Sequence, residues 1–305
     1  MENELPVSAM ALLWWNTSLS PTGRSRATST DIAFVSQLLS GVREVAPVDL
    51  IALGEVADED VSKVLKTLGN EHLSVHQQGK GKRGRNGDIA VIYDRRRLAL
   101  ISAHEIVSSF GDSALKVGEQ LTFAMPGKQE PLHIVVSHWS SRMFASEHAA
   151  KRAELGGSLR RFLDRLRMDG NSRKFIVLMG DYNDDPYSPS LAGHLLATRD
   201  RELVIKHDSY IYNPAWRWLG ESVPYAGREI TDSICGTYFY PSGTPSRWFT
   251  FDQIMFSSAF LQDGPLTLVE EKSMIIRAPT LESKIKSRKE IFDHLPIMGV
   301  IGIRS

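Results

Sequence analysis

Hydrophobic positions along the 305-residue chain repeat with two periods. Short continuous apolar runs, bounded by Gly, Pro or polar residues, predict buried strands. They cover 9–16 (AMALLWWN), Asp49–Val56 (DLIALGEV), Leu73–His76, Asp88–Tyr93 (DIAVIY), 98–108, 119–124, 132–138 (LHIVVSH) and Phe175–Met179 (FIVLM). Two late strands follow at Phe251–Phe256 and Met298–Ile303. Between them the apolar period lengthens to that of a helix. Ile32, Val35, Leu38, Leu39 and Val42 form a stripe on a helix from Asp31 to about Glu44, with Thr30 as its expected N-cap. Shorter helices are expected near Asp60–Leu68 and from Ser188-Pro189 to about Thr198. The longest, 146–168, carries Leu155, Leu159, Phe162, Leu163 and Leu166 on its core stripe, with arginines on the solvated face.

Strands alternating with helices define an α/β protein. No internal repeat or linker divides the chain, so residues 1–305 are expected to form a single domain. The glycine-spaced stretch Gly79–Gly87 (GKGKRGRNG) reads as a loop, and 207–248 gives only weak signals.

Composition narrows the class. At 42% hydrophobic residues the chain is too apolar for disorder, and its size supports a large core without staples. The single cysteine, Cys235, excludes an internal disulfide framework and a multi-Cys zinc site, and fits a reducing, cytoplasmic setting. The run Ala9–Trp15 is short for a signal segment and follows Glu2 and Glu4 instead of basic residues, so a buried strand is the better reading and no membrane insertion is expected. Lys plus Arg and Asp plus Glu each number 36. That balance excludes nucleic-acid binding by bulk positive charge but allows local patches of either sign.

Polar residues that flank the apolar strands carry the candidate chemistry: Asn16, Glu55, His138, Asp181, Asn183, Asp252, Asp293 and His294. Each alone reads equally as a turn former or cap. Together they combine carboxylates, amides and imidazoles with no activated Ser or Cys. Hard oxygen ligands suit Mg²⁺, with Mn²⁺ as the substitute ion. Phosphoester hydrolysis needs such a cation, a base for the attacking water and donors for phosphate oxygens. Asp181 and Asn183 are two apart, so in extended chain they share a side. Asp252 or Asp293 is placed to fix the tautomer of an imidazole.

The motifs WWN (Trp14–Asn16), LGEV (Leu53–Val56), SHWSSR (Ser137–Arg142), GDYNDD (Gly180–Asp185), FDQIMFS (Phe251–Ser257) and FDHLPI (Phe292–Ile297) occur in one order. Their set resembles the endonuclease/exonuclease/phosphatase superfamily, the DNase I-like fold. The resemblance implies a four-layered α/β/β/α sandwich of two packed mixed β-sheets flanked by helices, and a divalent-metal phosphoester hydrolase. It implies that Glu55 binds metal, with Asn16 and Asp293 in support. His138 is implied to contact phosphate, Asp181 to position or deprotonate the water beside Asn183, and Asp252 to orient His294, which faces the scissile phosphate. Two departures stand out. The family often has Gln before the metal glutamate, where this chain has Gly54. Asp184 and Asp185 make the site more acidic, as if for a second metal.

For the substrate, Lys80, Lys82, Arg83, Arg85 and Arg95–Arg97, and later Lys284, Lys286, Arg288 and Lys289, form basic segments suited to phosphate or simply to solvation. The aromatic stretches Tyr210–Gly220, Gly236–Tyr240 and Trp248-Phe249 suit base stacking or a packed flap. Arg142 and Asn213 are candidate substrate contacts, against a salt bridge and an ordinary Asn-Pro turn. A nuclease acting on DNA or RNA is the leading expectation. A small-phosphoester hydrolase acting on a nucleotide, inositol phosphate or lipid headgroup is the alternative, and an inert binding module of the same fold is the third. No protein partner is implied.

Overall fold

The computed structural model describes residues 8–21, 27–69, 71–79, 88–141, 145–169, 173–220 and 234–304. The strands in chain order are β1 (Ser8–Asn16), β2 (Val48–Gly54), β3 (Leu73–Gln77), β4 (Ile89–Asp94), β5 (Ala99–Phe110), β6 (Ser113–Ala124), β7 (Leu132–His138) and β8 (Phe175–Asp181). Then follow β9 (Ala197–Thr198), β10 (Ile211–Tyr212), β11 (Tyr238–Phe239), β12 (Trp248–Phe249), β13 (Asp252–Phe256), β14 (Leu266–Leu268), β15 (Met274–Ile275) and β16 (Ile297–Ile303). The α-helices are α1 (Ser29–Val45), α2 (Asp58–Leu68), α3 (Ala145–Met168), α4 (Arg201–Lys206) and α5 (Pro279–Ile285).

One sheet runs β14-β16-β1-β2-β4-β3, with β15 also on β16; the other runs β5-β6-β7-β8-β13-β10-β9. Both are mixed, since β1 lies parallel to β2 and β7 parallel to β8 while most other pairs are antiparallel. Alternation along β1 shows how the layers form. Met10, Leu12 and Trp14 face inward, onto Ile134, Val136, Val177 and Met179 of the second sheet. Ala11, Leu13 and Trp15 face outward, onto Val35 and Leu39 of α1 and Leu281 of α5. On the far side Val135, Ile176 and Leu178 meet Leu155, Leu159 and Leu163 of α3. Each such fully buried aliphatic contributes about 1.5–3 kcal/mol relative to exposure. The result is the expected sandwich: helix, sheet, sheet, helix.

Local details differ from the sequence reading. Helix α1 starts at Ser29, two residues before Asp31, because Thr28 rather than Thr30 is the cap. The Thr28 hydroxyl accepts from Asp31 N while the Asp31 carboxylate accepts from Thr28 N, a capping box. The turn after Ser188 is a short π-helix, Pro189–Leu195, ended by Leu196 in the left-handed region. Among the described residues no helix is long and apolar enough to cross a membrane.

At the rim away from the candidate site, Asp49 is buried, accepts a hydrogen bond from Ala11 N at 3.3 Å and lies 3.3 Å from the Arg97 guanidinium. Burial pushes its pKa up to about 6, against the pull of Arg97. The folded state therefore holds this proton more tightly than the unfolded chain. The stability it contributes is present at acid pH and lost as pH rises through about 6. Asp49→Asn keeps an acceptor and removes the titration. Its advantage over wild type should grow between about pH 4 and pH 7, to on the order of 2–3 kcal/mol, in urea unfolding at stepped pH. A difference that stays flat would show Asp49 ionising like an exposed carboxylate.

Candidate active site

Strand register gathers the candidate residues at one rim. Asn16 and Gly54 end paired parallel strands, and Gly54 pairs with Ile89 at the start of antiparallel β4, which places Asp88 beside Glu55. Trp14 pairs with Ile297, so the turn before β16 brings Asp293 and His294 to the same edge. In the second sheet His138 pairs with Asp181, and Asp252 opposes Asp181 across the antiparallel pair. Gly180 permits this crowding: at φ +152°, a Cβ there would lie 1.9 Å from the Ser137 carbonyl oxygen.

Asp181 is the centre. Its Oδ1 accepts from Asn183 N at 2.7 Å and its Oδ2 accepts from Asn16 Nδ2 at 3.2 Å. Two imidazoles approach that same Oδ2 from different sheets, His294 Nε2 at 3.7 Å and His138 Nε2 at 3.8 Å. Behind each ring stands a carboxylate. His294 Nδ1 lies 2.7 Å from Asp252 Oδ2, and Trp14 Nε1 donates to Asp252 Oδ1 at 2.7 Å. His138 Nδ1 lies 2.7 Å from Asp88 Oδ2, and Lys116 Nζ donates to Asp88 Oδ1 at 2.6 Å.

The charges follow from this geometry. Burial disfavours the cation at His294, but Asp252, Asp181 and Asp293 outweigh it and hold its pKa up to about 10. At His138 burial is likewise overcome, by Asp88, Asp181 and Glu55, and the pKa sits at about 9. Both rings are therefore imidazolium near neutrality. Asp88 is held below the ordinary carboxylate range, since His138 and Lys116 outweigh its burial. Asp181 is raised, by burial first and by Asp252, with the two imidazoles opposing.

Glu55 stands apart. It adopts φ +53°, and Ser18 and Asn183 share that left-handed region at φ +54° and +50°. Among the described residues, three of the four such non-glycine positions thus cluster at this rim, a pattern of functional loops. Burial raises the Glu55 pKa, and its carboxylate has no hydrogen-bond donor among the described residues, only His138 Nε2 at 3.8 Å. A sheltered carboxylate without donors fits a divalent cation. Asp293 lies beside it on the same rim, its Oδ1 accepting from Ser18 Oγ at 2.9 Å. Asp181, Asp252 and His294 also offer ligand atoms within 4.8 Å of one another, but both Asp252 oxygens already serve Trp14 and His294. The Gly54 departure has a cause: a Cβ there would lie 2.8 Å from the Trp14 ring, which fills the space of a longer side chain.

Other expectations change. Asp184 and Asp185 are not second-metal ligands. Arg152 and Ser190 bind the Asp184 carboxylate, and Thr250 N donates to Asp185 at 2.8 Å. Asn213 is fully buried as the cap of a 3₁₀ turn; its Oδ1 accepts from Ala215 N and its Nδ2 donates to Gln253, so it braces the loop instead of facing substrate. Arg96 and Arg97 pair with Asp94 and Asp49, and Lys284 with Glu290, which removes them as free phosphate contacts. Arg142 and the lysines and arginines of 80–87 lie outside the described residues. The sequence reading missed Asp88, Lys116 and Arg152. Of the aromatic stretches, Tyr238 borders the site, its ring 4.6 Å from that of His294 and stacked on Phe251 at 5.0 Å.

A two-sheet sandwich whose rim joins carboxylates, imidazoliums and a sheltered glutamate defines a phosphoesterase-type site. The family model for the endonuclease/exonuclease/phosphatase family matches residues 20–290, and the chain belongs to that family. Its catalytic chemistry is phosphoester hydrolysis. No curated protein matches the chain in sequence. Among solved structures, the human Nocturnin catalytic domain with bound sulfate is similar at TM-score 0.61 and 14% identity, over 97% of this chain and 95% of that one. D. rerio TDP2 with a single-strand DNA product aligns at TM-score 0.59 and 14% identity, covering 96% and 99%. A mannosyl-6-phosphatase of Bacteroides thetaiotaomicron aligns at 0.58 and 13%, covering 96% and 99%. At such identities these likenesses establish the fold.

Proposed function

We propose that the chain is a divalent-metal-dependent nuclease, hydrolysing phosphodiester bonds of DNA or RNA by in-line attack of water. The observation that carries this reading is the convergence of two carboxylate-backed imidazoliums on Asp181 Oδ2 from separate sheets. Asp181, raised by burial and fixed by Asn183 N and Asn16 Nδ2, accepts the proton of the attacking water. His138 and His294, held charged by Asp88 and Asp252, donate to the phosphoryl oxygens as negative charge builds. Asn183 keeps the base in place through its backbone N–H, while its side-chain Nδ2 anchors the loop on the Trp139 carbonyl. Glu55 would hold Mg²⁺ or Mn²⁺, assisted by Asn16 and Asp293; when bound, the ion would supply Lewis-acid stabilisation of the negative charge on the phosphoryl oxygens. We read the chain as one domain, since a single core joins both sheets. The lone Cys235 supports a cytoplasmic setting.

EDTA should abolish hydrolysis. Glu55→Gln should raise the half-saturating Mg²⁺ concentration by more than the 10–100-fold typical of losing an outer partner of a bound metal. The measurement is the rate on labelled single- and double-stranded DNA and RNA as Mg²⁺ is titrated. An unchanged Mg²⁺ dependence would remove Glu55 as the ligand.

Hydrolysis of a small phosphoester is the second reading. It draws support from the zero net charge and from the internal pairing of Arg96 and Arg97. A flat salt response would favour it, and a steep loss of affinity with salt the nuclease.

A further inference from the structure

The end of the sandwich opposite the catalytic rim holds a cavity that the hydrolytic centre does not use. Its volume is about 770 Å³, within the roughly 300–1,000 Å³ of small-ligand sites. Two strands set its distance from the rim. β8 begins two residues after Arg173, which lines the cavity, and ends at Asp181. β16 begins three residues after His294 and ends one residue before Arg304, also on the lining. Each strand is seven extended residues, so its ends stand about 20 Å apart. Phe260, Leu261, Leu268 and the 42% exposed Ile205 give the cavity an apolar wall. Arg173, Arg201 and Arg304 bring three guanidiniums to the same lining. Their carboxylate partners do not balance them. Glu270 accepts from Arg201 Nε at 3.1 Å and from the Tyr212 hydroxyl at 2.8 Å, and its Oε1 lies 3.3 Å from Arg217 Nη1. One carboxylate thus serves two guanidiniums. Asp263, 3.1 Å from Arg304 Nη1, is 97% exposed, where water and salt weaken an ion pair. Arg173 has no hydrogen bond or ion pair among the described residues.

Four guanidiniums (Arg173, Arg201, Arg217, Arg304) against two carboxylates (Glu270, Asp263) leave two positive charges in excess, on a chain whose formal total is zero. A dianion answers that excess, and the planar fork of arginine matches phosphate oxygens. A phosphomonoester, whose second ionisation falls at about pH 6, is such a dianion near neutrality. The apolar wall has room for the rest of the molecule. We propose that this cavity binds a small phosphomonoester with an apolar or aromatic body, at a site separate from hydrolysis. Arg173 and Arg304, both exposed, supply its unbalanced charge, while Glu270 keeps Arg201 oriented. The site does not depend on the nuclease reading, because the group it holds is not the one cleaved at Asp181.

The test is isothermal titration of the full chain with naphthyl phosphate, in EDTA to suppress hydrolysis. The wild type should bind the probe saturably, with Kd below about 1 mM. Arg173→Glu and Arg304→Glu should each weaken binding about tenfold or more, and the exposure of both residues lets the fold survive the reversal. Arg173→Lys, which keeps the charge and loses the fork, should lose less. Lys66→Glu, an exposed charge reversal on α2, is the control and should leave Kd unchanged. Naphthol and inorganic phosphate, the two halves of the probe, should each bind at least about tenfold more weakly. No saturable binding, or a wild-type Kd in both arginine reversals, overturns the site. Loss of binding in His294→Ala also overturns it, since the phosphate would then sit at the catalytic rim. Inorganic phosphate binding as tightly as the probe would overturn the class of ligand. No cleavage is read, so failure of the nuclease reading leaves this result standing.

Discussion

Asp181→Asn is expected to lower turnover on an oligonucleotide by about 10²–10⁴-fold, the range a positioned general base supplies. The amide keeps the volume of the carboxylate and an acceptor for Asn183 N, while its NH₂ meets Asn16, whose amide must turn to present its oxygen, so the change removes the proton acceptor without opening a cavity. Stability should move little. Burial disfavours the Asp181 charge, and the two imidazoliums offset that penalty. Taking the charge away removes both effects, and thermal unfolding should shift by no more than a few degrees. A second consequence separates a base from a structural residue. Asp181 helps to hold His138 and His294 charged, so both imidazole titrations should move to lower pH in the variant, as NMR would record. Turnover near the wild-type value would sink the assignment, and so would imidazole titrations that do not move.

The fold was largely legible because the central strands β1, β2, β4, β7, β8 and β16 are near-continuous apolar runs, and such runs end where the sheet meets solvent. That rule finds Asn16, Glu55, His138 and Asp181 at once, since parallel strands finish at a common rim. It is blind to strand beginnings. Asp88 opens β4, and an antiparallel strand begins at the rim where its neighbour ends; pairing of Gly54 with Ile89 was the missing information. Lys116, three residues into β6, was concealed for the same reason. Arg152 had a signal that was overlooked: it lies three residues before Leu155, on the apolar stripe of α3 and not on its solvated face, and it is buried against Asp184. Asn213 shows the converse error. An Asn before a Pro reads first as a cap at the head of a helical turn, and the structure uses it so. The positions that resisted reading are those whose partners come from remote segments, where local pattern carries no register.

Asp252→Asn tests the other half of the device and should be nearly as damaging. The Asp252 carboxylate faces two donors, Trp14 Nε1 and His294 Nδ1, each at 2.7 Å. An amide offers one acceptor and one donor to those two groups. With its oxygen kept on Trp14, its NH₂ meets His294 Nδ1, and the ring satisfies it by turning to the tautomer with the proton on Nε2. The imidazole is then neutral. Burial, which already works against the cation, loses its largest opponent, so the His294 pKa should fall below its wild-type value of about 10. Its Nε2–H remains a donor, but the charge that matches a developing phosphorane anion is gone. A replacement of this kind behind a catalytic imidazole lowers turnover by up to about 10⁴-fold where tautomer and charge both matter. The pH profile distinguishes this cause from misfolding. Wild-type activity should hold through neutrality and decline as pH passes about 9, where His138 and then His294 lose their protons. In Asp252→Asn that alkaline decline should begin at lower pH, because the His294 imidazolium gives up its proton more easily without the carboxylate behind it. A profile with the wild-type shape, merely scaled down, would mean that Asp252 acts through packing around Trp14 and not through the charge of His294.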